Sequence, residues 1–180
     1  NRGNILKKLK RYHEALLSYD QAIQIKPDYA DAYYNKGNTL LELFRYDEAI
    51  SNFDQAIQIK PDYADAYYNK GNTLLELFRY DEAILAYDQA IKFNSKYIGA
   101  YDNRGNVLQK LGRYDEALLS FEKILEIDPY YPLVIGKILH AKMFNCEWGY
   151  FKKKFNEIKK NIIKKNIIIQ PFTLLSTVDE

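Results

Sequence analysis

Two series of asparagines run through the first two thirds of this sequence. Asn1, Asn35, Asn69 and Asn103 form one, and Asn4, Asn38, Asn72 and Asn106 the other. Within a series the spacing is 34 residues, and the two members of each pair lie three apart, which places both amides on one face of a helix. Asparagine is a poor helix-interior residue, so eight at equivalent positions call for a use. A primary amide carries two N–H donors and a carbonyl acceptor. It can bond the N–H and C=O of a polypeptide backbone whatever side chains that polypeptide bears. This is recognition chemistry without bond making. Tyr34 and Tyr68 stand beside the amides and offer apolar area plus a hydroxyl, which suits peptide contact. Asp31, Asp65, Glu42 and Glu76 share the face and read as solvated acids. Two roles stay open for the amides. Ligand contact fits Asn1, Asn35, Asn69 and Asn103 better; bonding between neighbouring helices fits Asn4, Asn38, Asn72 and Asn106 better.

Little else in the chain could do covalent chemistry. His13 and His140 are the only histidines, and His13 stands where the equivalent positions carry Asp, so it reads as a surface residue. Cys146, close to Trp148, reads as a packing thiol without a base to activate it. No His, Cys and Asp cluster has metal-ligand spacing, and no glycine-rich phosphate loop occurs. We therefore expect no catalytic residue, no metal and no cofactor. Lys and Arg total 26 against 24 Asp and Glu, so no global field points to nucleic acid. A single cysteine excludes an intramolecular disulfide and fits a reducing, cytoplasmic setting. No apolar run is long enough to span a bilayer, and no signal peptide is evident. The sequence starts at Asn1 without Met, which reads as a fragment.

The elements that would position the amides follow from the repeat. Residues 20–50 and 54–84 are identical at every position, offset by 34, and looser copies flank them. Glycines recur at Gly3, Gly37, Gly71 and Gly105, and alanines at Ala15, Ala49, Ala83 and Ala117. Apolar spacing through Ala49, Ile50, Phe53, Ala56 and Ile57 follows the helical period. Each unit reads as two antiparallel helices, roughly 30–43 and 46–59 in the second copy. The small residues let two helix axes approach closely. Pro61 cannot continue the second helix, and Asp62 is placed to cap the next one. One hairpin cannot bury its own apolar faces, so neighbours stack. Adjacent helices pack about 8–10 Å apart and an extended peptide rises about 3.3 Å per residue, so one amide rung meets about every third ligand residue.

A period of 34 with this pattern resembles the tetratricopeptide repeat family. The second copy supplies Tyr33, Gly37, Ala49, Phe53, Ala56 and Pro61. The third supplies Tyr67, Gly71, Ala83, Tyr87 and Ala90, with Ser95 in place of Pro. The fourth supplies Tyr101, Gly105, Ala117, Phe121 and Pro129, with Ile124 for a small residue. The first keeps Gly3, Ala15, Tyr19, Ala22 and Pro27. One departure recurs: the family's Leu before Gly is Arg2, Lys36, Lys70 and Arg104, whose long stems can lie along the helices with the charge in water. The resemblance implies an all-α, right-handed superhelical solenoid with its repeats at 1–29 (partial), 30–63, 64–97 and 98–131. It also implies that the asparagine rows line the concave groove, and that the partners are protein or peptide segments. A basic clamp for a terminal carboxylate, used by some relatives, is not matched: Tyr34, Asn35, Tyr68 and Asn69 stand there.

After Pro132 the pattern changes. Residues 1–131 hold 17 basic and 20 acidic residues, net −3, whereas residues 132–180 hold 9 and 4, net +5. Trp148, Phe151, Phe155, Ile158 and Ile162 describe an amphipathic helix with lysines opposite. A membrane-surface helix is one reading. A helical cap on the solenoid's end, within 132–165, is the preferred one, with 166–180 opening a further segment. Uncovered ends could also support self-association. The stretch "HAKMFNCEWGYF", with His140 and Cys146-Glu147-Trp148, and later Pro171-Phe172, Leu174-Leu175 and Asp179-Glu180, resembles the junction between repeats and catalytic half in O-linked N-acetylglucosamine transferase-like, SPINDLY-like proteins. It departs in having Glu147 for Asp. The resemblance implies a substrate-selecting asparagine ladder here and a catalytic domain beyond Glu180. A stand-alone adaptor with no enzyme attached is the other reading.

Overall fold

The computed structural model describes residues 2–144. Asn1 and the tail from Glu147 to Glu180, with Cys146, lie outside the described residues. So do Asn145, the amphipathic stretch, the start of the further segment and the part of the junction motif after Phe144.

The described residues form nine helices and no strand, the all-α class expected. The chain divides into two compact units, residues 1–100 and 101–180. The first holds three helical hairpins: α1 (Arg2–Lys8) with α2 (Tyr12–Ile25), α3 (Ala30–Leu41) with α4 (Tyr46–Ile59), and α5 (Ala64–Glu76) with α6 (Tyr80–Phe93). Successive hairpins pack α2 on α3, α4 on α5, and α3 beside α5. The division falls in α7 (Ile98–Lys110). The second unit contains α8 (Tyr114–Ile127) and α9 (Val134–Phe144), packed together.

The repeated glycines allow each hairpin to close. A Cβ on Gly37 would stand 2.7 Å from Phe53 Cε1, and one on Gly71 2.6 Å from Tyr87 Cε1. Gly3 meets Tyr19, and in the second unit Gly105 meets Phe121, in the same way. Ala15, Ala49, Ala83 and Ala117 are wholly buried beside these aromatic rings. Leu16, Leu40, Ala49 and Phe53 join the first two repeats into one core.

Each hairpin turn has the same chemistry. Arg45 N–H bonds the Leu40 carbonyl and Phe44 N–H that of Leu41, while Phe44 takes a left-handed φ of 57°. That is the geometry of a glycine-type helix terminus. Its equivalents are Lys10, Phe78 and Gly112, with φ of 58°, 58° and 74°. Arg45 then reaches Glu48 through two bonds of 2.6 and 2.7 Å across the first turn of α4. Arg11–Glu14, Arg79–Glu82 and Arg113–Glu116 repeat that pair.

Two expectations change. Asp62 does not cap α5: the residue at the cap position is Tyr63, without a side-chain cap bond, and Asp62 instead offers its backbone carbonyl to Ala64 N–H. The cations in place of the family Leu do more than reach water. Lys36 Nζ lies 2.6 Å from Asp20 Oδ1 and Lys70 Nζ 2.6 Å from Asp54 Oδ1, each pairing a first helix with the preceding repeat's second helix.

Candidate functional site

Asn4, Asn35, Asn38, Asn69 and Asn72 lie half-buried on α1, α3 and α5. On α3, Gly37, Thr39 and Leu40 are buried, and Thr39 Oγ1 donates to the backbone carbonyl of Asn35 at 2.8 Å. The face is therefore set by packing and not by the amides.

Tyrosines from the inter-repeat loops complete it. Tyr63 donates its hydroxyl to Asp31 Oδ1 at 2.9 Å, and Tyr97 donates to Asp65 Oδ1 at 2.8 Å. Their rings pack on Tyr34 and Tyr68, with centroids 4.9 and 4.7 Å apart. Burial, and then the bond to the neighbouring carboxylate, pushes both phenols above the ordinary tyrosine value, so both remain neutral donors near pH 7. Burial raises Tyr34 as well, opposed by its bonds to Asn38 and Asn69. Sequence reasoning did not single out Tyr63 and Tyr97. Their signal was present: Tyr29, Tyr63, Tyr97 and Tyr131 recur at the repeat period.

The two amide rows behave differently. In the second row, Asn4 Oδ1 accepts from Tyr19 at 2.6 Å and Asn72 Oδ1 from Tyr87 at 2.9 Å, bonds across a single hairpin. Phe53 has no hydroxyl, and there Asn38 Oδ1 accepts from Asn69 Nδ2 at 2.8 Å. In the first row, Asn69 Nδ2 also donates to the Tyr34 hydroxyl at 3.0 Å, and Asn35 Nδ2 to the Asp31 carbonyl at 2.7 Å. The side-chain Oδ1 atoms of Asn35 and Asn69 accept no bond among the described residues, whereas their backbone carbonyls accept from Thr39 and Thr73. The face thus presents the Oδ1 atoms of Asn35 and Asn69, one repeat apart, beside Tyr34, Tyr68, Asp31 and Asp65.

In the second unit Asp102 takes the place of Tyr34 and Tyr68. Lys137 Nζ lies 2.5 Å from its Oδ1, and Asn106 Nδ2 lies 3.4 Å from its Oδ2. Asn103 is half-buried. His140 contacts Gln109 and packs on Phe144 with ring centroids 4.8 Å apart. His13 is exposed.

Among the described residues no three His, Cys, Asp or Glu side chains gather as metal ligands would. None of the described helices is long and apolar enough to cross a membrane. Beside Asn35, a cavity of about 170 Å³ lies among Gly3, Tyr19, Tyr29 and Ala32. That is small beside the roughly 300–1,000 Å³ of sites that enclose a small molecule.

A TPR repeat family model matches residues 3–43, and tetratricopeptide repeat models match residues 28–96 and 100–131. Residues 3–96 and 100–131 are tetratricopeptide repeats. Solved structures share this repeat fold. A crystal structure of MamA protein is 23% identical, covers 94% of this chain and 94% of its own, and superposes with a TM-score of 0.77. The structure of YrrB, described as a TPR protein with an unusual peptide-binding site, is 24% identical, covers 97% of this chain and 87% of its own, and gives 0.73. The first TPR of Spaghetti (RPAP3), bound to HSP90 peptide SRMEEVD, is 24% identical, covers 63% of this chain and 90% of its own, and gives 0.59. A search of curated proteins finds no match.

Proposed function

We propose that this chain is a protein-interaction module whose tetratricopeptide groove holds extended polypeptide segments by their backbone. The observation that carries the reading is the pair of unengaged side-chain Oδ1 atoms on Asn35 and Asn69, one repeat apart on a half-buried face. A row of acceptors at that spacing meets the N–H groups of an extended chain. Tyr34 and Tyr68 add flat apolar area beside each rung. Asp31 and Asp65 keep one carboxylate oxygen clear of tyrosine, so neutral or basic segments suit the face better than acidic ones. The peptide SRMEEVD carried by the RPAP3 repeats is acidic at its end; here Lys36 and Lys70 are held by Asp20 and Asp54 and offer no clamp for it.

The test replaces Asn35 and Asn69 together by Ala, checks helicity, and titrates an unstructured polypeptide. At about 1 kcal/mol per bond, two lost rungs weaken binding by about thirtyfold. Unaltered affinity refutes the ladder. Loss of helicity instead assigns the amides to holding the repeats together.

The tail motif after His140 supports a narrower reading, the substrate-selecting arm of an O-linked N-acetylglucosamine transferase-like protein. A stand-alone adaptor accounts for the repeats equally well. Reading the coding sequence past Glu180 separates the two.

A further inference from the structure

Phe44 and Phe78 break two local rules at once. Each sits at the left-handed position of a hairpin turn, and each leaves most of its ring in water, 76% and 72% exposed. A bulky side chain seldom takes that backbone conformation, and here it gains little from burial. The equivalent residues Lys10 and Gly112 show that the turn itself does not require an aromatic residue. Violations of local rules without a gain in packing concentrate where proteins bind. Each ring also meets a tyrosine edge-on, Phe44 with Tyr46 at 6.3 Å and Phe78 with Tyr80 at 6.2 Å. The turn edge of the first unit therefore carries two aromatic pairs one repeat apart.

We propose that this edge is a self-association surface whose occupant is the same edge of a second copy, running antiparallel. The charges select that occupant. The first turn is basic, with Lys8 and Lys10 exposed, while the next two are acidic, with Asp47 and Glu76 exposed and Glu42 already paired to Lys7 at 3.9 Å. The arginines of those turns are already paired to Glu48 and Glu82. Parallel edges would set acid against acid. A two-fold axis at the Phe44 turn instead brings the two Phe44 rings together and sets each basic first turn against the other copy's acidic third turn. Lys10 then meets Glu76 and the face of Phe78 in the second copy, an ion pair and a cation–π contact. The rings supply area removed from water, and the charges set the register. Three turns at about 8–10 Å each make a short interface, so the dimer is weak and concentration-dependent. This edge is separate from the ends of the repeat array.

Sedimentation equilibrium of the full chain, from micromolar to millimolar concentration, tests the proposal. The parent chain is expected to dimerise, and Phe44→Asp with Phe78→Asp to remain monomeric with unchanged helicity, since Asp tolerates the left-handed region better than Phe. Lys10→Glu weakens the dimer at least severalfold, and adding Glu76→Lys to it restores association. A parent chain that is monomeric throughout overturns the proposal, as does a dimer indifferent to the two Asp substitutions. A charge swap that fails to restore association overturns the antiparallel register, and it reads independently of how the Asp variants fold.

Discussion

Replacing Gly71 by Ala adds one methyl where Tyr87 already lies. The new Cβ would stand 2.6 Å from Tyr87 Cε1 and 2.8 Å from Cδ1. The ring is wholly buried, and its hydroxyl is tied to Asn72 Oδ1 at 2.9 Å, so it cannot swing aside without losing that bond. Helix propensity favours Ala by about 1 kcal/mol. Forcing a methyl into a packed core costs about 1–3 kcal/mol. The balance in the parent chain lies between no change and a loss of about 2 kcal/mol. With Tyr87→Leu the ring is gone, the propensity term stands alone, and Gly71→Ala gains up to about 1 kcal/mol. Urea unfolding of the four chains, followed by far-UV circular dichroism, gives the coupling, expected at about 1–3 kcal/mol. A coupling below about 0.5 kcal/mol would show that the glycine is not there for the ring.

Phe44→Gly relieves a left-handed penalty of about 1–2 kcal/mol and adds back about 0.4–1 kcal/mol of unfolded-state freedom, so it raises the melting temperature modestly. Asp54→Asn removes the partner of Lys70 and costs at most about 1 kcal/mol, a loss that shrinks in molar salt when unfolding is repeated there. The phenols of Tyr63 and Tyr97 are raised by folding. Their contribution to stability is therefore whole below the ordinary value of 10.0 and is lost as pH rises above it. An ultraviolet pH titration should find two tyrosines that ionise later than the rest, and Asp31→Asn with Asp65→Asn should advance them.

The repeat made much of this architecture legible. Helices expected at 30–43 and 46–59 are found at Ala30–Leu41 and Tyr46–Ile59, because glycine, alanine and aromatic residues recur at one period. What the amides bond to was not legible. The Asn69–Asn38 and Tyr63–Asp31 bonds join residues 31 and 32 apart, and that register depends on how one hairpin lies on the next. Helix-face reasoning places a side chain on a surface without saying which of its donors a neighbour will take. The turn strain was half visible. Aligning "LKRY", "LFRY", "LFRY" and "LGRY" puts phenylalanine where Gly112 marks a left-handed position, yet the exposure of those rings needed the fold. Asp62 misled because the loop tyrosine after it takes the cap position.

The central claim is that the amide face reads polypeptide backbone. Its most direct test follows the side-chain amide resonances of Asn35 and Asn69 by NMR while an unstructured peptide, and then its scrambled sequence, is added. The account predicts that both amides shift and saturate, with similar affinity for the two peptides. Resonances that stay fixed while the peptide binds elsewhere, or a response confined to one of the two sequences, would contradict it.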